Sequence, residues 1–150
     1  MSLDNLARIG QLKAHTPSAA ETLRLLASAE RNLKDAHAAG ISDETRFDAA
    51  YKAIMQCALV ALMASGYRPA TSMPGHHQTL IQSLPLTLAV SNDVWLVLDA
   101  LRKKRNVNDY SGELIDPESV RECIARAAAL LATTRQWLKE HHPQLLKKPE

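Results

Sequence analysis

Aromatic residues, glycine and cysteine are all scarce in this chain. One Phe, two Trp and three Tyr make up 4% of its 150 residues, beside five Gly and two Cys. So few aromatics, with no β-branched runs, disfavour sheet, and 46% hydrophobic residues rich in Ala and Leu favour helices. Cys57 and Cys123 lie far apart among Ala and Leu, which predicts buried, reduced thiols in a reducing compartment. The apolar run ALVALMA (58–64) is far shorter than the ~20 residues of a bilayer span. The N-terminal MSLDNLARIGQLK lacks the basic-then-apolar layout of a signal peptide. A soluble, cytoplasmic protein with no membrane association is expected. No charge of one sign dominates: 18 Lys and Arg against 16 Asp and Glu give a formal charge of +2. That is too mild for polyanion binding by bulk charge, so any contact with nucleic acid must rest on local clustering. P-loop, GxGxxG, CxxC and HExxH motifs are absent, so the common signatures of nucleotide hydrolysis, dinucleotide redox chemistry and zinc proteolysis are missing. No cofactor and no metal are expected.

What is present is helical periodicity, in a single domain over 1–150. A short amphipathic helix is expected over 2–15, within an N-terminal extension 1–16. Thr16 with Pro17 then reads as an N-cap and first helical position, opening a second helix that carries Leu26, Ala29, Leu33 and Ala36 inward and stops at Gly40. Ser42 caps a third helix, acidic in its first turn, with Phe47, Ala50, Ile54, Cys57, Ala58, Ala61 and Leu62 inward and Gly66 as terminator. These two helices are expected to pair antiparallel. Residues 67–76, YRPATSMPGH, read as a loop, and a helical piece over 77–84 meets Pro85, which kinks or ends it. Ser91 or Asn92 caps a helix from Asp93 to about Val107. Asp116, Pro117 and Glu118 open the last helix, with Val120, Ile124, Ala127, Ala128, Leu131 and Trp137 inward. The tail 142–150 is expected to fray. The fold class is therefore all-α, an up-and-down bundle of four principal helices with short additional ones.

One stretch breaks the pattern. In ALRKKRNVNDYSGELID (100–116), Arg105 lands on the apolar stripe of Val94, Val97, Leu98 and Leu101, with Arg102 and Asp109 within about 60° of it. Asp99 and Lys103, four apart, form an ordinary surface pair, and Lys104 reads as solvated. For Arg105 two readings stand side by side. It can snorkel past the core or pair with Asp109 to end the helix. Alternatively it forms an anion site, a planar guanidinium held against the bundle wall with Asn106, Asp109 and Tyr110 as hydrogen-bonding neighbours.

The run Arg105-Asn106-Val107-Asn108-Asp109-Tyr110, at the end of the third long bundle helix and before the turn into the last, resembles the signature of the HEPN superfamily. The resemblance spans about residues 17–140. It implies a small helical bundle that dimerises so that two signatures face each other across a cleft. In many members that cleft is a metal-independent ribonuclease site. Others partner nucleotidyltransferases in toxin–antitoxin systems or bind without catalysis. Tyr110 stands where the signature carries histidine, and a phenol near pKa 10 is a poor base at pH 7. The expectation is thus a dimeric, HEPN-like nucleotide- or RNA-binding module of a toxin–antitoxin or other RNA-linked system, with a nucleotidyltransferase-type protein as a further partner. Trp95, about 100° from Val94, is its expected interfacial anchor. The alternatives are a metal-independent endoribonuclease and a purely structural interaction bundle. The binding residues expected are Arg105, Asn106, Asp109, Tyr110, Arg102 and His77. His77 belongs to the pair His76-His77, of which at most one can face the cleft.

Overall fold

Five of the six helices begin on a Ser or Asp whose side chain accepts a hydrogen bond from a free backbone N–H of the first turn. Each such cap stabilises its helix by about 1 kcal/mol. The computed structural model describes residues 1–72 and 75–148. It comprises α1 (Leu3–Arg8), β1 (Leu12–Ala14), α2 (Ala19–Ala36), α3 (Asp43–Ala64), β2 (Tyr67–Pro69), α4 (His76–Thr87), α5 (Asn92–Ser111), α6 (Pro117–His141) and a 3-10 turn, Pro143–Leu146. The architecture is all-α, a helical bundle with one minor two-stranded ribbon.

α3 is the pillar. Thirteen of its 22 residues are buried, all seven expected inward positions among them. Burial of side chains the size of Phe47, Ile54 and Leu62 contributes about 1.5–3 kcal/mol each. α2 and α6 pack along α3, and α4 lies against both α3 and α5. Asn32 donates to Gln56 Oε1 at 2.9 Å and Gln56 to Ser28 Oγ at 2.8 Å, which fixes the register of α2 on α3. By length and composition α3 would pass for a membrane span, although ALVALMA alone would not; 72% of its most apolar stretch is instead buried inside the bundle. Cys57 and Cys123 are free and buried, and burial pushes both thiols up to about 12.

Several boundaries differ from the sequence reading, each for a local reason. The helix expected over 2–15 ends at Arg8, because Gly10 turns the chain at φ +83°. The following residues form β1, antiparallel to β2 with Lys13 opposite Arg68. The expected loop 67–76 therefore begins as a strand, while its Met73 and Pro74 lie outside the described residues. Thr16 is not the cap of α2. Ser18 is, since Glu21 completes a reciprocal capping box with it at 3.2 Å in both directions. α2 stops at Ala36, short of Gly40. α4 continues through Pro85 to Thr87, the proline falling in its last turn. α5 runs four residues past Val107 to Ser111, where Gly112 in the left-handed region ends it. In α6, Ala128 faces out, and the inward line is Cys123, Ala127, Leu130, Leu131, Thr134 and Leu138. The tail does not fray at 142. The 3-10 turn folds back on α2 and seats Leu145 in the core at 4% exposure.

Candidate functional site

α5 reaches the bundle through few residues. Leu98 and Leu101 are its buried positions, and Arg105, one turn further along the same line, continues their stripe. Its guanidinium lies over the ring of Tyr51, 5.1 Å from the centroid. Tyr51 comes from α3, buried and stacked on Phe47 at 6.3 Å. The flat ring thus gives the cation a wall and a π-face together.

Two carboxylates hold the guanidinium loosely. Asp48 Oδ1 lies 3.6 Å from Arg105 Nε, and Asp109 Oδ2 lies 3.4 Å from Nη1. Both distances suit an ion pair and exceed a good N–H···O bond. Arg105 Nε and Asp48 Oδ1 are themselves buried without a hydrogen-bond partner among the described residues. Burial pushes the Asp48 carboxyl up; the Arg105 charge opposes that shift and the Asp109 charge adds to it. Arg105 is 29% exposed and Asp109 39%, so one edge of the pair reaches solvent.

His77 meets the same ring from α4. Its Nδ1 is 3.2 Å from Tyr51 Oη, with ring centroids 5.5 Å apart. Burial lowers its pKa from 6.5, helped by the Arg105, His76 and Arg102 charges. The imidazole is therefore neutral at pH 7. Burial pushes the Tyr51 phenol up to about 12, against the pull of Arg105, so it keeps its proton. A protonated phenol donates to Nδ1 in the tautomer that carries its hydrogen on Nε2, leaving that second nitrogen free as a donor.

The expected site residues divide accordingly. Arg105, Asp109 and His77 come together around Tyr51. Arg102 sits behind them, its Nε donating to Asp99 at 3.0 Å, and acts on Tyr51 and His77 through its charge. Asn106 is exposed and Tyr110 is 90% exposed, so neither joins the group. Lys103 pairs with Asp99 at 3.4 Å as expected. Lys104 is not merely solvated. Its ammonium bridges Asp116 at 2.9 Å and Ser119 at 2.6 Å, tying the end of α5 to the start of α6. Trp95 is partly buried, one side of it packed against the core.

Asp48 and Tyr51 escaped the sequence reading. The signal was there: a carboxylate and a phenol three residues apart in the most apolar helix share one face. Among the described residues no three His, Cys, Asp or Glu side chains gather to hold a metal ion. The fold and cluster define the class no further than an all-α bundle with a cation–aromatic–imidazole group between α3, α4 and α5. No family model and no curated protein matches the chain.

Proposed function

We propose that this bundle binds a nucleotide or RNA phosphate at Arg105, as a dimeric HEPN-like module of a toxin–antitoxin or other RNA-linked system. The observation that carries the reading is the seating of Arg105: stacked on a buried ring, held by carboxylates beyond hydrogen-bond length, with one edge open. Such a guanidinium is placed in advance and keeps donors for a planar or tetrahedral anion. Asp109, 39% exposed and on the same helix as Arg105, gives way to the incoming phosphate, while Asp48 and Tyr51 hold the other side. His77 Nε2–H supplies a neutral donor nearby. A second copy, and a nucleotidyltransferase-type protein, are the partners that the HEPN resemblance adds.

The test is fluorescence anisotropy of a labelled single-stranded RNA, with ATP as competitor, against the natural protein and Arg105→Lys. Lysine keeps the charge but loses the stacked fork, so affinity should fall at least tenfold with little change in melting. Affinity should also fall steeply as salt rises, since phosphate contacts release counterions. Equal binding by both proteins, or a flat salt response, overturns the reading. Light scattering at micromolar concentration tests the dimer against a 16.5 kDa monomer.

A metal-independent endoribonuclease is the second reading, favoured by the neutral imidazole of His77 close to Arg105. In the other tautomer, with Nδ1–H donating to Tyr51 Oη, Nε2 is free to take the 2′-hydroxyl proton as that oxygen attacks phosphorus and the 5′-oxygen leaves. RNA cleavage in EDTA, lost in both His77→Ala and Arg105→Ala, would establish it over simple binding.

A further inference from the structure

Away from Arg105, a cavity opens beneath the connector that joins α4 to α5. It holds about 230 Å³ and is walled by Val90, Val94 and Leu98 on one side and by Ala129 and Leu130 of α6 on the other. A cavity of about 150 Å³ with such walls admits a benzene ring, so this one has room for a ring with a small substituent. A wider recess of about 710 Å³, bordered by Gln136, Trp137 and His141, shares Leu88, Ala89 and Thr133 with it.

Two features mark this cavity as built for a ligand. Ala89 has φ +55°, and among the described residues every other positive φ belongs to glycine. Glycine would take that turn without strain, as Gly66 and Gly112 do after α3 and α5. Keeping a methyl there costs stability, and the residue lines both the cavity and the recess. Strain held in place at the lip of a cavity points to function. The second feature is Arg126, the one charged residue in a lining that is apolar apart from it and Thr133. Its Nε donates to Glu122 Oε1 at 2.8 Å, and among the described residues no acceptor holds its Nη groups. Glu122 itself borders a different cavity, with Asp116 and Glu118, and is not part of this lining.

An apolar chamber with one guanidinium and one hydroxyl, that of Thr133, matches a small molecule with an apolar body and a single anionic end. We propose that it binds a small apolar carboxylate of about one aromatic ring, the ring between Val94, Leu98 and Leu130 and the carboxylate on the Nη edge of Arg126. This site is independent of the Arg105 cluster.

Backbone amide NMR on the full chain tests it, titrating benzoate, benzyl alcohol and acetate in turn. Benzoate should give saturable shifts centred on Val94, Leu98, Ala129 and Thr133. Benzyl alcohol should bind at least fivefold more weakly, and acetate should not saturate. Arg126→Gln should bring benzoate down to the affinity of the alcohol, and Ala129→Trp, which fills the chamber, should abolish both. Ala89→Gly should raise the melting temperature while weakening benzoate, because it relieves strain and removes wall. Shifts centred instead on His77 and Asp109, no shifts at all, or unchanged benzoate affinity in Arg126→Gln would overturn the proposal. Thermal melts of each variant show that it is folded, and Arg126→Gln at the surface end of the chamber keeps the test valid should Ala129→Trp not fold.

Discussion

α3 and α5 are nearly equal in length, 22 and 20 residues, yet α3 buries thirteen residues and α5 only two. α3 is fixed from all sides by α2, α4, α5 and α6, while α5 leans mainly on α4. Each gives half of the Arg105 cluster. α3 supplies the immobile half, Asp48 and Tyr51, and α5 supplies the half with room to move, Arg105 and Asp109. A rigid wall and an adjustable cation are what an anion site needs for both geometry and exchange. Substitutions on α3 should therefore register as stability, and substitutions on α5 mainly as binding.

The sharpest break of this contrast lies in the core. Phe47→Ala should cost about 3–5 kcal/mol in a denaturant titration, while Leu96→Ala on α5, at 51% exposure, should stay within about 0.5 kcal/mol. Comparable losses from the two would erase the distinction. Next in size is Arg105→Ala, which strands Asp48, whose Oδ1 is buried without a hydrogen-bond partner among the described residues. With Asp48 about half exposed, the loss should be near 1 kcal/mol. Asp48→Asn added to that variant should recover most of it, and urea midpoints of the two variants measure the recovery.

A pH series sharpens the comparison at the point where α4 joins it. His77 has a folded pKa below its ordinary 6.5, so the unfolded chain takes up the proton first as pH falls. The stability tied to the neutral ring is complete above 6.5 and is lost as pH drops through the lowered folded value. Melting temperature between pH 8 and 5 should fall more steeply for the natural protein than for His77→Gln. Asp116, held well below the carboxylate range by Lys104 and Ser119, keeps its contribution until pH passes below 3.8, outside that window. Asp48 runs the other way. Its raised pKa gives a gain present below 3.8 that disappears as pH rises through the folded value, and comparing the two proteins cancels it. The smallest effect is that of Lys103→Ala. Its pair with Asp99 has an ammonium 69% exposed, so the change should stay below about 0.5 kcal/mol in the same melts.

The helices were legible because their signals are local. Ser42, Ser91 and Asp116 cap where the sequence places them, and three-and-four spacing marks the buried line of α3. The ribbon was not legible, since three residues on each side carry no period and their pairing spans the whole α2–α3 hairpin. Leu145 was missed for a similar reason: two prolines and two lysines around LL read as a free tail, and only the groove on α2 shows where a leucine goes. At the site, the position of Arg105 on an apolar stripe was visible, as were Asp109 and His77. Tyr110 and Asn106 were drawn in by adjacency in sequence, whereas helical rotation carries them to solvent. Asp48 and Tyr51 belong to another helix, and no periodicity within α5 could name them.

The ribbon also has a consequence for the order of folding. Lys13 and Arg68 sit at opposite ends of the segment that forms the α2–α3 hairpin, so their strands meet once that hairpin has closed. The backbone amide of His15, bonded at 2.8 Å to the carbonyl of Gly66, and that of Ala70, bonded at 2.9 Å to Gln11, are therefore latches on the open end of the hairpin. Their hydrogen exchange reads out each opening of the α2–α3 pair, and makes this small ribbon the molecule's own gauge of whether its central helices are together.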